Sequence, residues 1–186
     1  MPPRVKITKE DIVKAAVELA RKSGEGSVNA RAVAAYLNCS TQPVFSNFAT
    51  MEELERELVR SAYEVYIGFL KKEAESGKYP PYKAYGMAYI RFAREETELF
   101  KLLFMRDRSG ESFVPTEDFS TSVEMIMSAN AISREKAELL HLEMWSCVHG
   151  IGTMFATSFL SLDEELISDM LTDVYLGIRA RHLTSC

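Results

Sequence analysis

The sequence is short of the residues on which several protein classes depend. It holds three cysteines in 186 residues, Cys39, Cys147 and Cys186, with no Cys-x-x-Cys pair. That argues against a disulfide framework or a zinc module and for a reducing compartment. Six prolines and nine glycines are too few for a linker-rich or fibrous chain. No run approaches 18 uncharged apolar residues, so no membrane-spanning helix and no membrane partner are expected. The opening residues Met1-Pro2-Pro3-Arg4-Val5-Lys6 lack the apolar stretch and cleavage site of a secretory signal, and the expected location is the cytoplasm. There is no Walker A loop, GxGxxG or HExxH. Cys147 and His149 point about 200° apart on a helix, with no oriented acid to complete a triad. Neither enzymatic activity nor a cofactor is expected.

What is present describes a globular protein, with 47% hydrophobic and 26% charged residues. Against about 150 residues per domain, the length suits one domain or two small ones. The net charge of −5 conceals an asymmetry. Residues 1–50 hold seven Lys/Arg and four Asp/Glu, a net +3, while the rest hold fifteen and twenty-three, a net −8. A basic end on an acidic body hints at an anionic partner for that end.

Apolar residues recur with a 3.6-residue period along nearly the whole chain and nowhere alternate, so the expected fold is all-α with about nine helices. Thr8, with Asp11 three residues on, opens a helix over about 9–22, with Ile7 and Ile12 as a hydrophobic staple and Gly24 as its stop. Asn29 caps a short helix carrying Val33 and Leu37. Ser40 is expected to cap another short helix through Asn47, with Pro43 in its first turn. Thr50 and Glu53 form a second capping box, opening a helix that ends near Ser76-Gly77. Pro80-Pro81 reads as a linker, followed by helices near 82–95 and 97–106, a polar loop Asp107–Pro115, and helices near 116–130, 134–159 and 163–181. Ser133 and a Ser161–Glu164 capping box are the expected starts of the last two.

Two short helices joined by a tight turn, with a third behind them, describe a helix-turn-helix. Its second short helix needs a small, polar leading end that can reach base edges in a major groove. Ser40, Thr41, Gln42 and Pro43 suit that role. Gln42 can bond adenine in bidentate fashion, and Thr41 can bond a base edge or touch a thymine methyl. Ser46 and Asn47 lie one turn on, while Val44, Phe45 and Phe48 supply the side that seats the helix. The same pattern is compatible with two short helices of an ordinary bundle.

The stretch Ile12, Ala16, Leu19, Gly24, then Val33-Ala34, Leu37, Ser40-Thr41-Gln42-Pro43-Val44-Phe45, Asn47-Phe48 and Met51-Glu52-Glu53-Leu54 resembles the N-terminal domain of the tetracycline-repressor-like (TetR) family over about residues 8–55. The resemblance implies a three-helix DNA-binding domain over 1–50. It also implies a helical ligand-binding and dimerisation domain over 51–186, in a repressor that leaves its operator when a small hydrophobic or amphipathic effector binds. Operator DNA near its own gene is the implied partner. Three positions depart from the family pattern: Phe45 replaces a phosphate-contacting tyrosine, Asn47 a histidine and Met51 a lysine. Lys6, Lys9 and Arg31 can offset part of that loss. With fewer neutralised phosphates, the salt dependence of binding should be shallower.

From Phe100 onward the chain resembles a TetR subgroup named for a C-terminal Trp–His–Gly signature, here Trp145, His149 and Gly150. The resemblance implies a homodimer in which the last two helices pair with their symmetry mates. Gly150, Gly152 and Ala156 would permit close helix approach, and Ile167, Met170, Leu171, Val174 and Ile178 give the last helix a broad apolar face. Tyr85, Tyr89 and Phe92, at helical spacing, with Phe100, Phe104, Trp145 and His149, are the candidate lining of an effector site, though such a stripe also suits ordinary core. His141 and His149 stand about 12 Å apart along a helix axis, too far to share a metal, so no metal is expected. Two other readings stay open: a helical interaction module whose DNA-binding surface has decayed, and a small-molecule-binding or catalytic helical protein.

Overall fold

A computed structural model describes residues 7–107 and 116–184. Lys6, Cys186 and the expected loop beyond Asp107 lie outside the described residues. Among the described residues there are nine α-helices and no strands: α1 Lys9–Ser23, α2 Ala30–Tyr36, α3 Gln42–Asn47, α4 Met51–Ser76, α5 Pro81–Glu95, α6 Thr97–Phe104, α7 Glu117–Asn130, α8 Arg134–Ala156 and α9 Glu164–Thr184. The chain divides into two compact units, residues 1–65 with 96–106, and residues 66–95 with 107–186. The first unit therefore extends past the residue-50 boundary read from the sequence and takes in α6.

In the first unit, Thr8 and Asp11 form the expected reciprocal capping box at α1, and Asn29 accepts from the amides of Arg31 and Ala32 at 3.1 and 3.0 Å. That bond orients a helix of only seven residues, too short to persist on its own. An Asn29→Ala variant should lose about 1 kcal/mol of stability, read as an unchanged slope and a lower midpoint in urea. Gly24 ends α1 at φ +77°, a left-handed conformation that side chains resist, and a Cβ there would stand 3.0 Å from Glu98 Oε2. Ile12, Ala15 and Ala16 of α1, Ala30 and Val33 of α2, Val44 and Phe48 around α3, and Leu54 of α4 form one buried cluster.

The starts of α9 and α4 differ from expectation. Asp163, and not Ser161, caps α9: its Oδ1 accepts from the Leu166 amide at 2.8 Å. At α4 the Thr50 hydroxyl accepts from Glu53 N at 3.4 Å, but the Glu53 carboxylate reaches back to Ala49 N at 2.8 Å and not to Thr50.

In the second unit, α5 is the central element, with Ala84, Met87, Ala88, Tyr89, Ile90, Phe92 and Ala93 buried. Gly86 allows close packing, since a Cβ there would meet Leu171 and Val148 at 3.3 and 3.4 Å. Glu73 is only 3% exposed, and its carboxylate accepts from the Arg91 guanidinium. The same guanidinium reaches Glu164 at 3.2 Å, and Lys78 and Tyr79 also bond Glu164, at 2.7 and 3.1 Å. The small-residue cluster of α8 is split: Gly152 and Ala156 are buried within the unit, while space around Gly150 is open. On α9, Ile167 and Leu171 are buried, whereas Leu166, Leu176 and Leu183 are exposed, as are Leu139, Leu142 and Trp145 on α8.

Candidate nucleic-acid interface

The start of α3 decides which polar groups it presents. Thr41, not Ser40, occupies its N-cap, with helical dihedrals (φ −71°, ψ −13°) and no side-chain cap. The Thr41 carbonyl accepts from Val44 N at 3.1 Å and Phe45 N at 3.3 Å. Because Thr41 is already helical, its side chain and that of Ser40 take no part in capping. Val44 and Phe48, four apart, face inward and are buried. Phe45, read from the sequence as part of the seating side, is 56% exposed. One residue on from Val44 is a turn of about 100° around the axis, which carries the ring off the inward face.

Gln42, Phe45, Ser46 and Asn47 make up the exposed face of this helix, with Ser40 exposed just before it. Thr41 and Pro43 are half-buried. Two of the polar side chains are turned back onto the helix: Ser46 Oγ donates to the Gln42 carbonyl at 2.9 Å and Asn47 Nδ2 to the Pro43 carbonyl at 2.8 Å. Gln42 and Phe45, three apart, share one face.

The basic residues of the first unit are less available than the net +3 of residues 1–50 suggests. Lys9 Nζ pairs with Glu57 at 2.9 Å and lies 5.1 Å from the centre of the Phe48 ring. Arg21 bonds Glu96 at 2.7 Å and also Glu18, and the Glu96 bond raises the affinity of the guanidinium for its proton. Arg31 is exposed in the first turn of α2. The sequence reading passed over Tyr36, 44% exposed with Lys22 Nζ 5.8 Å from its ring centre. Its position off the Ala30–Val33–Leu37 stripe was the available signal.

The candidate effector residues fall in both units. Phe100 and Phe104 belong to the first, where their rings lie 5.3 Å apart. Tyr85, Tyr89, Phe92, Trp145 and His149 belong to the second. There Tyr66 meets Tyr89 edge-on at 5.9 Å and Phe92 at 5.4 Å. The Trp145 indole stacks on the His149 imidazole at 4.8 Å with 13° between planes, and Tyr89 Oη lies 2.8 Å from His149 Nδ1.

A second pair went unseen in the sequence: Tyr82 Oη stands 2.9 Å from His141 Nδ1, with Phe119 edge-on to the imidazole at 4.8 Å. Burial holds both histidines below the usual imidazole range, His141 at about 4 despite the opposing charge of Asp118. Burial also pushes both phenols up. Each pair therefore joins a protonated phenol to a neutral imidazole, and the imidazole tautomer sets which of the two donates. Burial raises the Cys147 thiol as well, the opposite of what a nucleophile requires. Among the described residues no group of three or more His, Cys, Asp or Glu could hold a metal ion.

The sequence matches no protein-family model and no curated protein. Solved structures do resemble this one. A member of the TetR family from Streptomyces coelicolor A3 aligns with a TM-score of 0.62 at 18% identity, over 89% of this chain and 96% of that one. A TetR-like transcriptional regulator from Rhodococcus sp. RHA1 aligns with a TM-score of 0.65 at 14% identity, over the whole of both chains. The multidrug binding protein EbrR, complexed with imidazole, aligns at 0.57 and 17% identity, over 89% of this chain and 88% of that one. At these identities the likeness is one of fold: the chain has the all-helical fold of the TetR-type regulators.

Proposed function

We propose that this protein is a DNA-binding transcriptional regulator of the TetR type, acting as a homodimeric repressor in the cytoplasm rather than as an enzyme. The observation that carries the reading is the face of α3. Val44 and Phe48 anchor the helix in the core of the first unit, while Gln42, Phe45, Ser46 and Asn47 stay exposed beside Ser40 and Thr41. The fold likeness to known regulators supports it. The leucines exposed along α8 and α9, Leu139, Leu142, Leu166, Leu176 and Leu183, support a dimer through the last two helices, since burying exposed apolar side chains favours association. Two recognition helices would then meet half-sites about 34–36 Å apart, or a multiple of that.

The Trp145–His149 stack and Gly150 suit the Trp–His–Gly subgroup. Tyr85, Tyr89, Phe92, Trp145 and His149 suit an effector with apolar surface and hydrogen-bonding groups, and the multidrug-binding neighbour offers a parallel. Such an effector releases DNA only if it binds one arrangement of the protein more tightly than the other.

The test is selection of bound duplexes from a random pool, followed by titration of the preferred sequence in rising salt. A palindromic preference supports the reading, and uniform weak binding to every duplex removes it. Gln42→Ala should then lose about 1–3 kcal/mol of discrimination at a single base position. Unchanged discrimination at every position would remove Gln42 from the readout.

A further inference from the structure

The exposed ring of Phe45 is unexplained by the packing of α3. Val44 and Phe48 already hold this helix in the core, at 0% and 2% exposure, while Phe45 remains 56% exposed. Ser46 and Asn47 beside it direct their donors to their own helix backbone. Gln42 stands three residues earlier on the same face, with the two Cβ atoms of such a pair about 5–6 Å apart. A phenyl ring can neither donate to a phosphate nor accept from a base amine. The apolar group that a base edge presents in the major groove is the 5-methyl of thymine.

From this placement we infer that Phe45 is a specificity-determining residue that selects thymine by covering its methyl group, within about two base pairs of the adenine read by Gln42. The inference rests on the DNA-binding function proposed above. It assigns to Phe45 a role different from the phosphate contact implied for a tyrosine there.

The test uses the full-length protein and its selected duplex, with each thymine of the half-site replaced in turn by uracil, which removes one methyl and leaves every hydrogen-bonding group in place. One position should weaken binding about three- to fivefold, as expected for one buried carbon. Phe45→Ala should bind the thymine and uracil duplexes equally at that position, and Phe45→Leu should restore part of the difference. Retained adenine preference in Phe45→Ala establishes that the variant still docks. Uracil tolerated at every position, or discrimination that survives in Phe45→Ala, overturns the inference while leaving DNA binding intact. Absence of any sequence preference in the parent protein overturns both.

Discussion

Replacing Arg91 by methionine is expected to lower the unfolding free energy by about 3–5 kcal/mol, the range found when one member of a buried ion pair is removed. The two carboxylates bonded to Arg91 are not equally exposed to that loss. Glu164 keeps Lys78 and Tyr79, and the bond from Lys78 is the main reason its carboxyl lies below the usual range. Glu73 is 3% exposed, and the ion pair to Arg91 is the one it makes among the described residues. Without the guanidinium it would be left in a poorly solvated site. The paired variant Glu73→Leu with Arg91→Met should recover most of the loss, because an apolar pair of similar volume removes both desolvation costs together. Urea unfolding of the four proteins in the cycle measures this. A single Arg91→Met variant within 1 kcal/mol of the parent would show that the network does not hold α4, α5 and α9 together.

Acidification is expected to destabilise the protein well above the pH at which ordinary carboxylates titrate. His141 binds its proton at about pH 4 in the folded chain and at about 6.5 when unfolded. Between these values the unfolded state takes up a proton that the native state refuses, so stability falls as pH is lowered through that window. The gap amounts to about 3 kcal/mol by pH 4. His149 is shifted in the same direction by the same cause and adds to the effect. Gln can still share a hydrogen bond with Tyr82 but cannot ionise, so His141→Gln should flatten the profile between about pH 6.5 and 4. The measurement is the difference in urea midpoint between parent and variant at pH 7 and pH 4.5. A constant difference across that interval would mean that the imidazole titrates normally in the fold.

The nine helices among the described residues were legible because nearly every one carries its own period and its own punctuation. Thr8, Asn29 and Ser133 cap where the pattern placed them. Ser40 and Ser161 do not, for a local reason: a neighbour nearer the first turn, Thr41 in one case and Asp163 in the other, occupies the cap position. The inward side of α3 was half legible. Period alone places Val44 with Phe48, but a short helix flanked by aromatic residues does not reveal which ring turns outward. The Tyr–His pairs and the Glu73–Arg91–Glu164 network join residues 18 to 73 positions apart, and no local rule connects such distant partners. The reversal of Ser46 and Asn47 onto the backbone is a local option open to these residue types, but composition does not show when it is taken.

The chain has a single tryptophan, and that indole lies flat on an imidazole in α8. All tryptophan emission therefore originates from one ring, 39% exposed, on the surface of α8 where the effector is proposed to bind. An adjacent imidazole that gains charge withdraws excited-state electrons from an indole, so the intensity tracks the ionisation of its neighbour, and the wavelength tracks the water around it. The molecule carries an intrinsic optical probe at that surface, readable without any label.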